Sequence, residues 1–146
     1  MQLGRILEAA LYAKDLGAAE QFYHGVLGLE IISRVAERGV SFRCGDAVLL
    51  LFDPERTRIP DAGVPPHGAI GDGHMAFAIN ESEIDSWRRH LQQCGVAIEA
   101  EVAWPEGGRS VYFRDPAGNI LELAPPALWT VKAKAAGLHQ VTLPPL

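Results

Sequence analysis

The chain has 146 residues, of which 48% are hydrophobic and 21% charged, and it carries a formal net charge of −5. That length suits one domain or two small modules that share a core. The basic residues do not cluster, which argues against nucleic-acid binding and against attraction to an anionic membrane surface. No apolar run approaches the roughly 20 residues of a membrane span.

The two cysteines, Cys44 and Cys94, are too far apart for a CxxC pair. The N-terminus also lacks the basic and then apolar segment of a secretory signal. These features favour a cytoplasmic protein with two free thiols. We expect both thiols to be buried for structural reasons.

The first half predicts the order β-α-β-β-β. A strand is expected over 6–13 and a helix over 16–27, with Asp15 as the N-cap and Gly28 as the C-terminal stop. Three short strands follow, near 29–36, 39–44 and 47–53.

The second half repeats that order, and an internal repeat of this kind determines the fold class. A strand is expected over 73–79 and a helix over 82–94, and the remaining strands near 97–103, 109–114 and 119–124. The chain is therefore α+β. Its parts are a first βαβββ module (1–53), a Pro- and Gly-rich inter-module loop (54–72), a second module (73–125) and a C-terminal tail (126–146). The tail packs on the domain surface or forms a dimer contact.

Three of these apolar strands each carry one side chain that can bind a metal: Glu8, His74 and Glu122. Side chains alternate across a strand, so each of the three shares its face with small alanines and stands opposite large apolar residues. Small residues beside polar groups leave room for a ligand, as in a cleft on the concave side of a curved sheet. Two carboxylates in one cleft repel each other, and a divalent cation removes that conflict.

Two pairs of segments carry a family resemblance. The first half reads AKDL from Ala13 and FYHGVLGL from Phe22, and the second reads GHMAF from Gly73 and YFRDPAGNILEL from Tyr112. Over about residues 5–125 the chain resembles the vicinal oxygen chelate superfamily. That superfamily includes glyoxalase I, fosfomycin-resistance proteins, extradiol dioxygenases and bleomycin-binding proteins.

The resemblance implies a pair of βαβββ modules that form a curved, partly open barrel of mixed sheets, the glyoxalase/bleomycin resistance/dioxygenase fold. It also implies a metal site whose ligands come from the first and last strands of each module. His74 and Glu122 fall on the usual His and Glu, whereas Glu8 stands where most members have His or Gln. Leu50 stands where members like glyoxalase I place a fourth ligand, which argues against that reaction. Two carboxylates and one imidazole favour Mn²⁺, Fe²⁺, Zn²⁺ or Mg²⁺.

Four further residues are candidates for the cleft, and three of them have two readings each. Tyr12 shares the face of Glu8 and either binds substrate or lines the barrel. Arg109 either binds an anionic substrate group or forms a surface ion pair. Trp104 ends the sixth strand and is expected to wall the cleft. His67, in the long loop, is either an acid/base at the cleft mouth or a mobile exposed side chain.

Two functional hypotheses follow. The first is a metal-dependent lyase, isomerase, transferase or dioxygenase, whose small substrate chelates the ion through neighbouring oxygens. In it Glu8 and Glu122 are the candidate catalytic residues. The alternative is a metal-free, dimeric protein that binds and sequesters a small molecule, as the bleomycin-binding relatives do. The resemblance implies a homodimer in both cases.

Overall fold

The computed structural model describes residues 3–60, 63–104 and 108–129, which fall into two compact units. The first unit contains the described residues up to His74 together with Asp115–Asn119. The second contains Met75–Arg114 and the described residues from Ile120 onward. The short segment Asp115–Asn119 thus belongs to the unit formed by the first half of the chain.

The first sheet has the strand order β1-β4-β3-β2, with β1 parallel to β4 and the other pairs antiparallel. Its elements are β1 (Glu8–Tyr12), α1 (Leu16–Glu20) continued by a π-helical segment (Gln21–Val26), β2 (Glu30–Val35), β3 (Gly39–Cys44) and β4 (Ala47–Phe52).

The second sheet repeats this order as β5-β8-β7-β6. Its elements are β5 (His74–Ala78), a 3₁₀ turn (Glu81–Glu83) leading into α3 (Ile84–Gln93), β6 (Ile98–Ala103), β7 (Arg109–Arg114) and β8 (Ile120–Ala124). The predicted α+β class and the duplicated βαβββ order are confirmed.

The residues at the predicted helix ends make the expected capping interactions. The Asp15 carboxylate accepts a hydrogen bond from the backbone N–H of Ala18 at 2.9 Å, which caps the first turn of α1. Gly28 ends the helical segment with a φ of +71°, a conformation that glycine adopts without strain. In the second half, Asn80 and Glu83 form a reciprocal capping box in front of α3.

Two short helices differ from the prediction. The inter-module loop begins with α2 (Pro54–Thr57), which is N-capped by Asp53, whose carboxylate accepts from the N–H of Glu55 at 2.8 Å. The tail begins with a 3₁₀ turn (Pro126–Trp129), and the rest of the predicted segment 126–146 lies outside the described residues. None of the helices in the described segments is long and apolar enough to cross a membrane.

Each sheet buries one face against its own helix. In the first unit the buried set comprises side chains of β1, β3, β4, α1 and the π-helical segment: Leu11, Ala19, Phe22, Tyr23, Val40, Phe42, Leu49 and Leu51. In the second unit it comprises Ile84, Leu91, Val111, Phe113, Leu121 and Leu123. The opposite faces do not pack against these helices, and Glu8, Tyr12, His74 and Glu122 lie on them.

A buried carboxylate organises the first unit. Asp115 Oδ2 accepts hydrogen bonds from the Tyr23 hydroxyl and from Asn119 Nδ2, both at 2.8 Å. Its Oδ1 accepts from the backbone N–H groups of Ala117 and Asn119, both at 2.9 Å. Four donors satisfy the charge, which makes its burial tolerable.

The Asn119 amide extends this network to two other segments. Its Nδ2 donates to the Tyr12 carbonyl at 3.1 Å, and its Oδ1 accepts from the N–H of Gly73 at 2.9 Å. A Cβ at position 73 would lie 2.6 Å from the Leu11 side chain and 2.9 Å from Asn119 Oδ1. A side chain at position 73 would therefore displace Leu11 or the Asn119 amide, which favours glycine where the chain enters β5.

Replacing Asp115 by Ala leaves the Tyr23 hydroxyl and the Asn119 amide without their buried acceptor. We expect Asp115→Ala to lower the free energy of unfolding by about 3 kcal/mol, as measured by urea denaturation. Asp46, an exposed residue in the corresponding turn of the first half, is the matched control. Asp46→Ala should change stability by less than about 0.5 kcal/mol, and equal effects of the two variants would contradict the assigned role.

Candidate functional site

Glu8 lies on the face of the first sheet that does not pack on α1. It pairs with Val48 of β4, and the next residues on its face, Ala10 and Tyr12, pair with Leu50 and Phe52. The Glu8 side chain is exposed. The structure thus confirms that Glu8, Ala10 and Tyr12 share one face, opposite the buried Leu11.

Leu50 occupies the position at which the family resemblance implies a fourth metal ligand in members like glyoxalase I. It stands between Ala10 of β1 and Ser41 of β3 in the register. The centre of this face therefore presents an aliphatic side chain between an alanine and a serine, and the row offers no carboxylate or imidazole.

Tyr12 is in direct contact with His67. The Tyr12 hydroxyl lies 2.9 Å from His67 Nδ1, and the imidazole also packs edge-on against Phe52, with ring centroids 4.9 Å apart. His67 is half-buried, and its backbone N–H donates to the backbone carbonyl of Thr57 at 3.1 Å. The long loop thus holds His67 on the face that carries Glu8, rather than leaving it as a freely exposed side chain.

A cavity of about 360 Å³ opens beside this pair within the first unit. It is lined by Tyr12, by the start of α2 and by parts of the loop and the 115–119 turn, including Lys14, Pro54, Ile70 and Pro116. Most of its lining is apolar, and Lys14 and Asp15 are among the residues that line it. Small-molecule sites commonly combine an apolar lining with a few polar groups.

His74 begins β5, and its side chain is exposed, as are Ala76 and Ala78 on the same face. β5 is the neighbour of β8 in the second sheet. His74 is thus on an edge strand of that sheet, next to the strand that carries Glu122.

Glu122 is buried, with 7% of its surface exposed, although it lies on the face of β8 opposite Leu121 and Leu123. It pairs across the sheet with Tyr112 of β7. Burial, together with a hydrogen bond to the Glu122 carboxylate and its negative charge, raises the pKa of Tyr112 to about 12. The phenol therefore keeps its proton at neutral pH and serves as a donor beside the carboxylate.

Trp104 joins this polar face through Ser110. Its indole Nε1 donates to Ser110 Oγ at 2.8 Å, and Ser110 is fully buried two residues before Tyr112 on the same face of β7. The side chains of Trp104, Ser110, Tyr112 and Glu122 thus form a polar row in the second unit. We did not assign Ser110 or Tyr112 a role from the sequence. The sequence did contain a signal for the pairing of Tyr112 with Glu122. The two residues are equally far from Ala117, at the centre of the 115–119 turn, so a hairpin places them opposite each other.

Arg109 lies on the other face of β7, with Val111 and Phe113. Its guanidinium forms ion pairs with Glu81 and Asp85 beside α3, with N···O distances of 3.4 Å each. These acidic partners raise the pKa of Arg109, which keeps it charged. Alternation points Arg109 away from the Tyr112 and Glu122 row, and its role in substrate binding stays a prediction. The surface ion pair is what the structure contains.

The donor chemistry of Glu8, His74 and Glu122 fits a divalent ion, since carboxylate oxygen and imidazole nitrogen are ordinary ligands for one. A metal site also requires that three such side chains lie close together. Among residues 3–60, 63–104 and 108–129, no three His, Cys, Asp or Glu side chains are grouped so that they could hold a metal ion.

Comparison with known proteins identifies the family. Residues 5–123 match the model of the glyoxalase/bleomycin resistance protein/dioxygenase superfamily. Glutathione transferase FosA of Serratia marcescens is 33% identical over 117 residues, which span 77% of this chain and 74% of that enzyme. Metallothiol transferase FosB of Shouchella clausii is 39% identical over 54 residues, about a third of each chain (34% and 36%).

A solved structure agrees with these matches. The crystal structure of lactoylglutathione lyase from Agrobacterium tumefaciens is 42% identical, with a TM-score of 0.86 over 89% of this chain and 99% of that one. The duplicated fold, the family model and these relatives lead to one conclusion. The chain belongs to the glyoxalase/bleomycin resistance protein/dioxygenase superfamily.

Proposed function

We propose that this protein is a metal-dependent enzyme whose small substrate binds a divalent ion through two neighbouring oxygens, with Glu8, His74 and Glu122 as the ligands. The observation that carries the proposal is the buried carboxylate of Glu122, next to a phenol that stays protonated. Carboxylates are seldom buried in apolar strands unless they are paired or bind a cation. A divalent ion bound there would polarise a substrate oxygen and stabilise negative charge that develops on it.

We further propose that the ligand set is completed between two copies of the chain in a homodimer. Glu8 and His74 are both exposed on strand faces that do not pack against a helix, so each is accessible to a second copy. The apolar side chains of Ile6 and Leu7 next to Glu8 are also exposed, by 73% and 62%. Exposed apolar surface beside a polar site is typical of a contact surface.

Within this proposal the second unit supplies the polar row. The Tyr112 hydroxyl orients the Glu122 carboxylate, and Ser110 and Trp104 hold the row in place through their hydrogen bond. Trp104 retains its predicted role as a wall of the substrate site. In the first unit, Tyr12 and His67 are the candidate substrate contacts, through a phenol and an imidazole already in contact.

The reaction that we favour is transfer of a thiol to a small electrophile. FosA is named a glutathione transferase and FosB a metallothiol transferase, and both are relatives by sequence. The name of the lactoylglutathione lyase from Agrobacterium also refers to glutathione. The aliphatic Leu50 row, however, argues against the four-ligand lyase reaction for this chain. The direct test incubates the metal-loaded protein with glutathione and small epoxides, fosfomycin included, and follows thiol consumption.

A metal-free binding protein is the second candidate, and the cavity beside Tyr12 favours it. Its volume of about 360 Å³ and its largely apolar lining suit a small guest without any metal. A thermal-shift screen with and without chelator separates the two functions. Stabilisation by a guest that chelator leaves unchanged supports the binding protein, and stabilisation that requires metal supports the enzyme.

Metal content is the first prediction of the enzyme proposal. Protein purified without added metal should contain a divalent ion by elemental analysis, and His74→Ala and Glu122→Ala should each contain about one ion per chain less because each removes one of three ligands. Glu101→Ala, at an exposed glutamate on β6, is the matched control and should keep wild-type content. Equal and negligible metal in all of these samples would reject the proposal.

Mixing variants tests whether the site is shared. Glu8→Ala and His74→Ala chains should each bind no metal alone. After they are unfolded together and refolded, a mixed dimer regains one intact site, so about a quarter of the wild-type sites should return, given a two-fold dimer. If no binding returns although mixed dimers form, Glu8 and His74 of one site do not come from two different copies.

The pKa of Tyr112 tests the polar row without any substrate. Glu122→Gln removes the negative charge that opposes phenolate formation, so the pKa of Tyr112 should fall from about 12 towards the ordinary value of 10.0. Alkaline titration of tyrosine labelled with ¹³C at the ring carbon bearing the hydroxyl, followed by NMR, measures this value. Glu101→Gln should leave it unchanged, and an unchanged pKa in Glu122→Gln would mean that the carboxylate does not act on the phenol.

A further inference from the structure

A histidine and a cysteine stand together at the end of α3, and neither belongs to the proposed site. His90 lies in the last turn of the helix and Cys94 is its C-cap residue. Four residues apart, they project from successive turns on the same side. His90 Nε2 lies 3.8 Å from Cys94 Sγ, and the thiol is exposed to solvent. The expectation that both thiols are buried was wrong for Cys94.

The separation of these two atoms matches what a single metal ion requires. Bonds of about 2.3 Å to sulfur and about 2.05 Å to nitrogen, at a tetrahedral angle, place the two donor atoms about 3.6 Å apart. The observed 3.8 Å is within the reach of a small side-chain rotation. The helix backbone therefore preorganises both donors, and little ordering of the side chains remains to be done on binding.

We propose that His90 and Cys94 chelate a thiophilic divalent cation, of the Zn²⁺ or Cd²⁺ type, on the solvent side of α3. On binding, the Cys94 S–H bond breaks, a sulfur–metal bond forms, and the proton leaves to solvent, with no change of oxidation state. His90 supplies the lone pair of Nε2. Water fills the remaining positions, because the described residues contain no third His, Cys, Asp or Glu grouped with this pair.

This site is chemically distinct from the one proposed for Glu8, His74 and Glu122. That set contains oxygen and nitrogen donors but no sulfur, whereas the present one is built on a thiolate, which selects softer cations. The other thiol, Cys44 of β3, is half-buried, and burial raises its pKa, which disfavours the thiolate form. Cys44 thus serves as a control within the same chain.

Cadmium titration of the reduced, chelator-stripped full chain provides the test, because a thiolate–cadmium bond gives a charge-transfer absorption in the ultraviolet. Wild-type protein should show one thiolate-bound ion per chain. Cys94→Ser should abolish the band, and His90→Asn should weaken binding at least tenfold. Cys44→Ser should behave as wild type. Glu122→Gln should leave the thiolate band unchanged whether or not it loses metal elsewhere, so failure of the Glu8, His74 and Glu122 proposal would leave this result intact.

Protection from alkylation gives an independent measurement. Zn²⁺ should slow the reaction of Cys94 with iodoacetamide in the wild type and much less in His90→Asn, as followed by peptide mass spectrometry. Absence of the cadmium band in the wild type would overturn the proposal. So would equal cadmium affinity in His90→Asn, since Cys94 would then bind as a single ligand.

Discussion

The buried Asp115 carboxylate is the interaction on which the first unit depends. It accepts from Tyr23 of the helical segment and from its own turn, and through Asn119 it reaches the end of β1 and the start of β5. Those two strand ends carry Tyr12 and His74. One charge with four donors thus sets the positions of residues that are far apart in sequence, and its desolvation cost is offset only while all four donors remain.

Alternation along β7 and β8 separates the side chains that pack in the core from those that form the polar row. A residue on one face of β7 or β8 packs against α3, and its neighbour faces the other way. Tyr112 and Glu122 are therefore paired on the polar face, while Val111 and Leu123 are paired in the core. The same rule places Arg109 beside Glu81 and Asp85. The polar row of the second unit follows from register more than from any single residue.

Local patterns predicted the elements and their faces because both depend on near neighbours in sequence. Asp15 and Gly28 bound the first helical segment as their capping chemistry indicates, and Glu8 and Glu122 lie opposite the large apolar side chains. Three features required long-range information. His67 contacts Tyr12 across 55 residues of chain, Arg109 finds its partners on a separate helix, and Cys94 lies on the outer side of α3. None of these follows from the spacing of residues along a strand.

The buried Tyr23 hydroxyl also sets a limit on the fold at high pH. Burial and the adjacent Asp115 carboxylate raise the pKa of Tyr23 far above its ordinary value of 10.0, and Tyr112 is shifted in the same direction. Above about pH 10 the unfolded chain releases these phenolic protons while the folded chain retains them. Stability that is fully present at lower pH then declines as the pH rises. The contact that organises the first unit under neutral conditions is thus also a reason for the protein to unfold in alkali.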